Sequence, residues 1–189
     1  MSIMTSRQAS ELDFAFERNG WTSEDVKRVS GGDLLATLLL VVRGAAEVVV
    51  KIITRTVKVD RSRTAAEVFD ATGRVKWYID QEALAEMPLD GKSEDTVEFF
   101  ELNYDPSVDE LDREYEARGL RPDPAAVAQA MADDPALADE RPVGVQWRDA
   151  RDRACYAIFH RDVSEHYVVF VNRFDHRWLR HYRFAGVHK

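Results

Sequence analysis

The sequence predicts an α+β fold with an N-terminal helical unit, central strands with acidic helices, and a C-terminal three-stranded antiparallel meander. Three observations predict it: apolar residues recur at helical spacing near the N-terminus, Asp-Pro pairs punctuate an acidic middle, and β-branched and aromatic runs fill the C-terminal quarter. The chain has 189 residues, 45% of them hydrophobic, which is enough for a core without disulfides. We therefore expect a single domain over residues 1–189, with sub-units at 1–45, 46–140 and 141–189.

The charge of the chain is distributed unevenly. The formal net charge is −8, from 26 basic and 34 acidic side chains. Residues 1–85 are balanced, residues 86–140 carry −13, and residues 141–189 carry +5 and all five histidines. This composition excludes collagenous and low-complexity proteins and argues against a disordered chain.

The sequence contains no predicted signal peptide and no predicted membrane span. Residues 1–11 lack an apolar h-region, and the longest apolar run, at 34–42, is shorter than the about 20 residues that cross a bilayer. The one cysteine, Cys155, excludes an internal disulfide and is compatible with a reducing compartment. We therefore expect a cytoplasmic protein that does not contact the membrane.

The N-terminal segment is predicted to be helical. A first apolar stretch ends at Gly20, and Thr22 or Ser23 offers the N-cap of a second helix. A third helix is predicted from Asp33, because apolar residues follow it at i, i+3, i+4 and i+7. Three short helices are also typical of a helix-turn-helix DNA reader, but the charge over 23–29 is balanced, which favours a plain helical packing unit.

The segment between the helical unit and the acidic middle is predicted to form strands. β-branched residues dominate from about Ile52 to 59 and favour a strand, although a polar stripe through the preceding residues also suits a continued helix. Segments 65–70 and 74–80 flank Gly73 and resemble the two strands of a hairpin. Farther along, we expect one or two helical turns at 81–87 and a strand at 96–102.

Three Asp-Pro pairs predict three helix starts in the acidic segment. Asp accepts a hydrogen bond from a free N–H at a helix start, and Pro has no N–H to lose there. The predicted helices cover 106–118, 124–132 and 135–139. The carboxylates between 109 and 116 are a candidate metal cluster, but helical spacing spreads them around the axis, so a solvated acidic face is favoured.

The C-terminal segment contains the most distinctive pattern. Strands predicted at 154–161, 166–173 and 177–187 form a meander in which aromatic residues alternate with Arg and His. Such a face suits protein binding or base stacking, and an ordinary sheet with one solvated basic face explains the pattern equally well. The candidate binding residues are Arg173, His176, Arg177, Trp178, Arg180, His181, Tyr182 and Arg183.

The sequence shows no catalytic or metal-binding motif. If residues 162–165 form a hairpin loop, His160 lies opposite Tyr167, and His160 and His166 project to opposite faces of the sheet. The nucleophile elbow, the Walker loop and the dinucleotide-binding glycine pattern are missing, and Cys155 in an apolar strand suits an inert thiol. We predict no cofactor and no metal.

Three stretches of the sequence resemble a group of small uncharacterised proteins from environmental bacterial genomes. They are residues 19–33, residues 118–120 together with 133–140, and the ending 183–189. No activity is known for that group, so the resemblance implies none. Its members keep Trp and Phe near the C-terminus, while the residues between these aromatic positions vary. This pattern loosely resembles proteins whose C-terminal region is diversified by a retroelement. That second resemblance implies a variable ligand-binding surface over 172–183.

The sequence leaves several functions open. The favoured one is a non-enzymatic binding module that contacts a protein or another ligand through the Arg/aromatic face of the C-terminal sheet. The alternatives are a nucleic-acid-binding protein using the same face and, least favoured, a His-dependent hydrolase. We also expect that the acidic segment, residues 86–140, is able to dock on the basic tail, residues 141–189, within one molecule or between two copies. The sequence does not predict the oligomeric state.

Overall fold

The computed structural model describes residues 4–31, Leu35, 53–173 and 176–189. The chain divides into two compact units, Met1–Lys51 and Ile52–Lys189.

The first unit contains two helices in its described part, α1 (Ser6–Arg18) and α2 (Ser23–Ser30). Gly20, at φ +74°, follows the end of α1, a backbone conformation that glycine adopts without strain. Thr22 caps α2 and forms a capping box with Asp25. The predicted helix stop and N-cap are therefore confirmed, whereas the third predicted helix, from Asp33, lies outside the described residues apart from Leu35.

The second unit contains a mixed sheet of eight strands in the described residues, covered by helices. Its strands are β1 (Ile53–Lys58), β2 (Val75–Ile79), β3 (Glu94–Glu101), β4 (Leu120–Arg121), β5 (Val143–Arg148), β6 (Ala154–Arg161), β7 (Tyr167–Arg173) and β8 (Arg183–His188). Its helices are α3 (Ala65–Asp70), α4 (Gln81–Ala85), α5 (Val108–Ala117), α6 (Pro124–Asp133) and a 3-10 turn (Pro135–Ala138). The strand order is β1-β3-β8-β5-β6-β7-β2, with β4 paired to β8.

The predicted α+β class is confirmed, and a C-terminal antiparallel meander is formed by β5, β6 and β7. The last strand differs from the prediction. It begins at Arg183 rather than Arg177, and it lies between β3 and β5 instead of beside β7. The reason is the burial of Trp178, which holds the segment before β8 against the sheet.

The hairpin predicted around Gly73 is wrong. Residues 65–70 form helix α3, because Thr64 and Glu67 make a capping box and the helix buries Val68 and Phe69. Residues 75–79 do form a strand, but β2 pairs in parallel with the distant β7. A reciprocal cap together with two buried side chains outweighs the hairpin signal of one glycine.

The predicted helix starts in the acidic segment are confirmed in part. Asp123 caps α6 by accepting a hydrogen bond from the Ala126 N–H. Helix α5 begins instead after Ser107, whose hydroxyl forms a capping box with Glu110, and Asp134 makes no side-chain cap at the 3-10 turn. The strand predicted at 52–59, the helical turns at 81–87 and the strand at 96–102 are present close to their expected bounds. They are β1, α4 and β3.

The two faces of the sheet are covered differently. Helices α3, α4 and α6 pack on one face and bury a core that includes Phe159 and Val169. On the other face, a second core contains side chains of α5, Trp178 and Phe184, and it ends at the half-buried Tyr156 and Ile158 on β6. Among the helices of the second unit, all of them within its described residues, none covers this second face over β7 and β2.

Gly144 on β5 gives Trp178 the space to lie against the sheet. A Cβ atom at position 144 would stand 2.7 Å from Cζ3 of the indole, a distance that forces one of the two groups to move. The absence of a side chain at this strand position is therefore a requirement of the second core.

We expect Gly144→Ala to lower the free energy of unfolding by about 1–3 kcal/mol, because the added methyl group overpacks the indole. Urea denaturation measures the change. In a Trp178→Leu background the same substitution should cost at least about 1 kcal/mol less, because the clashing ring is gone. An equal cost in both backgrounds would contradict this packing.

Candidate functional site

Trp178, the aromatic centre of the predicted binding face, is a core residue. Its side chain is 1% exposed, and its ring meets those of Tyr156 and Phe184 edge to face, at centroid distances of 5.6 and 5.4 Å. The indole Nε1–H donates a 2.8 Å hydrogen bond to Oε1 of Gln146. Trp178 therefore does not belong to an exposed face of the sheet.

Gln146 connects the buried indole to helix α5. The side chain is buried on β5, and its Nε2 donates to the Val108 carbonyl at 2.9 Å and to Oδ1 of Asp112 at 2.6 Å. Arg148, two residues along β5, binds Asp112 and Asp109 at 2.6 Å each. The amide and the guanidinium together hold the acidic helix on the sheet.

The four predicted arginines each contact carboxylates of the same chain. Arg173 binds Glu82 at 2.8 Å and Asp80 at 3.3 Å, Arg177 binds Glu110 at 3.1 Å, Arg180 lies 3.4 Å from Asp105, and Arg183 binds Glu101 at 3.0 Å. The partners of the last three come from the acidic segment. The acidic middle and the basic tail therefore contact each other within the molecule, and these charges are already paired.

The remaining predicted residues, His176, His181 and Tyr182, do not form a single site. Tyr182 is half-buried in the second core, and its ring stacks on that of His181 at 4.6 Å. His176 is exposed. His181 and Arg180 line an open depression of about 460 Å³ together with Glu101, Leu102, Asn103 and Arg141. The predicted set is thus divided between a core, several ion pairs and a shallow polar depression.

A different part of the C-terminal sheet exposes a cluster of rings. We call Val75, Trp77, Tyr78, His160 and Phe170 the outer aromatic surface. The rings of Trp77 and His160 each lie 5.6 Å from that of Phe170 and 6.4 Å from each other, all within 28° of parallel. Trp77 is 58% exposed, Val75 55% and Tyr78 50%. The stack therefore presents large apolar area to solvent.

A β-bulge places two aromatic residues next to each other on this surface. Lys76 pairs with Val169 and Tyr78 with Phe170, so Trp77 is an extra residue in β2. A bulge of this kind redirects the side chains around it, and Trp77 stacks on the same Phe170 that Tyr78 faces across the strands. The sequence interpretation missed this cluster because it assigned 74–80 to a hairpin. The available signal was the loss of alternation at residues 77–79, where Trp, Tyr and Ile follow one another.

The cations nearest in sequence to the outer aromatic surface, Arg74, Lys76 and Arg161, lie on the helix-bearing face of the sheet and have partners there. The guanidinium of Arg74 lies 5.0 Å from the Tyr167 ring and donates to the carbonyls of His160 and Pro135 at 3.3 and 3.2 Å. Burial lowers its pKa to about 10, so it remains charged at neutral pH. Lys76 pairs with Asp70, and Arg161 lies 3.6 Å from a carboxylate oxygen of Glu165. None of the five residues of the outer aromatic surface is Lys or Arg, and the cations beside it in the sequence are held on the opposite face.

The predicted pairing of His160 with Tyr167 is wrong by one position. His160 pairs with Val168, and Tyr167 with Arg161. The loop includes His166, because the Asp162 carboxylate accepts its backbone N–H at 2.8 Å. Among the residues that the structure describes, no group of three or more His, Cys, Asp and Glu side chains is arranged to hold a metal ion.

Comparisons with known proteins do not place this chain in a family. No family model, no curated protein and no solved structure matches it. In the described part of the chain, no helix combines the length and the apolar character needed to cross a membrane.

Cys155 should be unreactive in the folded protein. It is fully buried on β6, and burial raises its pKa to about 11, so the thiol stays protonated at pH 8. We expect no reaction with Ellman's reagent in native buffer and one thiol per chain in denaturing urea. Rapid reaction of the native protein at pH 8 would contradict the burial of this side chain.

Proposed function

We propose that this chain is a non-enzymatic binding module that recognises a protein segment through the outer aromatic surface. The observation that carries the proposal is the stack of Trp77, Phe170 and His160 on the part of the sheet that α5 does not cover. Exposed apolar patches of this kind are typical of interaction sites, and aromatic side chains supply most of the energy at protein interfaces. The proposal keeps the C-terminal sheet as the binding element and moves the contact from 173–183 to β2, β6 and β7.

The chemistry of His160 supports binding rather than catalysis. Its ring lies beside those of Phe170 and Trp77, at 5.6 and 6.4 Å, and its Nδ1 lies 3.2 Å from the Arg161 carbonyl oxygen. That oxygen can only accept a hydrogen bond, so the contact favours a proton on Nδ1. The histidine then acts as a flat packing surface with its second nitrogen available to a partner.

The lack of Lys and Arg on the outer aromatic surface favours a protein partner over a nucleic acid. The rings are suitable for stacking on nucleobases, but binding of nucleic acids depends on cations that neutralise phosphates. Arg74 is held by two carbonyls, and Lys76 and Arg161 lie beside carboxylates. An aromatic surface without Lys or Arg among its five residues is typical of contacts with protein segments.

A displayed library of random peptides tests the proposal on the full chain. We expect the wild-type protein to enrich peptides, and Trp77→Ser to weaken the enriched peptides at least about tenfold, because a central aromatic contact is lost. Leu179→Ser is the matched control, since Leu179 is also an exposed apolar residue but lies outside the surface. Peptides that bind both variants and the wild type equally would contradict the proposal.

A single-stranded oligonucleotide in the same assay distinguishes the two partner classes. We expect no binding at low salt. Binding that weakens steeply with added salt and disappears in Trp77→Ser would replace the protein partner with a nucleic acid.

A further inference from the structure

His160 is held in one orientation on the outer aromatic surface. Its ring lies 5.6 Å from that of Phe170, and the two planes are within 15° of parallel. Its backbone carbonyl accepts a hydrogen bond from Nη1 of Arg74 at 3.3 Å, and its Nδ1 lies 3.2 Å from the Arg161 carbonyl oxygen. The residue is therefore fixed at its ring face, at its backbone and at one of its two ring nitrogens.

The second ring nitrogen of His160, Nε2, is a hydrogen-bond acceptor. The Arg161 carbonyl favours a proton on Nδ1, and a neutral imidazole with that proton carries a lone pair on Nε2. Over residues 53–173 and 176–189, no group donates a hydrogen bond to this nitrogen. A partner that covers the ring removes water from Nε2, so a partner without a donor for it binds more weakly.

We propose that His160 selects partner segments that donate a hydrogen bond to its Nε2, and that binding therefore requires the neutral imidazole. The inference rests on the proposed function and deepens it, because it names a group that the partner must present beside its apolar contacts. An imidazolium carries protons on both nitrogens, so protonation replaces the acceptor with a donor that opposes the partner's own. Histidine is the side chain whose charge changes between pH 5 and 8, so the contact depends on pH.

No other group on this face of β2, β6 and β7 changes its charge in that range. Side chains alternate between the two faces of a strand, and the registers place Tyr78 and Tyr156 on the same face as His160. Both are phenols, which do not ionise between pH 5 and 8. Arg74 contacts only the backbone carbonyl of His160, and its pKa of about 10 keeps it charged over the whole range.

The loop between β6 and β7 contains the neighbouring charged groups, and they pair with one another. Oδ2 of Asp162 lies 3.5 Å from Nδ1 of His166, and Glu165 lies 3.6 Å from Arg161. The His166 side chain is 65% exposed and belongs to the loop rather than to the outer aromatic surface. As a histidine close to the surface but outside it, His166 provides the matched control for effects of pH.

The affinity of the full chain for peptides enriched from the displayed library at pH 7.5 tests this selection. We expect the wild type to bind them about tenfold more weakly at pH 5.5, because linkage to one proton changes an affinity by at most about tenfold per pH unit. His160→Phe keeps a ring but has no acceptor, so it should bind about tenfold more weakly at pH 7.5 and lose nothing further at pH 5.5. His166→Phe should keep the affinity and the pH dependence of the wild type.

A double-mutant cycle with an enriched peptide identifies the donor. Each backbone N–H of the peptide is removed by N-methylation and each side-chain donor by alanine. One replacement should weaken binding about tenfold to the wild type and leave binding to His160→Phe unchanged, because the two changes remove the same hydrogen bond. The kind of replacement distinguishes a backbone donor from a side-chain donor. Equal losses in both proteins at every position would overturn the inference.

Nitrogen-15 NMR of the histidine-labelled free chain tests the inference without a partner. Neutral His160, assigned with His160→Phe, should show a protonated Nδ1 and an unprotonated Nε2. A proton on Nε2 instead would overturn the inference whatever the library yields, because no acceptor then faces the partner.

The failure of this inference is separable from failure of the proposed function. Enriched peptides that need Trp77 but bind His160→Phe as tightly as the wild type, or bind the wild type equally at both pH values, overturn the selection and leave the binding surface in place. A wild-type chain that enriches no peptide overturns the proposed function and the inference with it.

Discussion

The burial of Trp178 is the constraint on which the second unit depends. Its indole occupies the space left by Gly144 and donates to Gln146, and Gln146 in turn binds α5 through Val108 and Asp112. The hydrogen bonds of the buried Gln146 side chain therefore link the C-terminal segment, the central strand β5 and the acidic helix. A buried polar pair of this kind is costly to leave half satisfied, so the three elements are fixed together.

This arrangement divides the second face of the sheet, which carries α5 and Trp178, into two parts with different roles. Over β3, β8 and β5 the face is closed by α5 and Trp178, and acidic side chains pair with Arg148 and Arg177. Beyond Tyr156 and Ile158, no helix of the second unit's described residues lies on this face. The residues left there are aromatic rather than charged, which is why the chemistry of the exposed part differs from that of the basic tail as a whole.

Local signals in the sequence predicted local structure well. Thr22, Asp123 and the β-branched run before 59 act through neighbours in the chain, and the helices and strands that they predict are present. The candidate site depended on contacts between distant residues. Nothing near Trp178 in the sequence indicates Gly144, and nothing near Arg177 or Arg183 indicates Glu110 or Glu101. The uneven distribution of charge between residues 86–140 and 141–189 did reflect the structure. It corresponds to ion pairs inside the molecule rather than to a surface for a ligand.

The central claim is that Trp178 is internal and Trp77 faces solvent. Fluorine NMR of the 5-fluorotryptophan-labelled chain tests it, with the four resonances assigned by single Trp→Phe variants and a neutral gadolinium chelate added as a solvent probe. The structure predicts strong broadening of the Trp77 resonance and none of the Trp178 resonance. A broadened Trp178 resonance beside a protected Trp77 resonance would contradict it and return the binding surface to the basic tail.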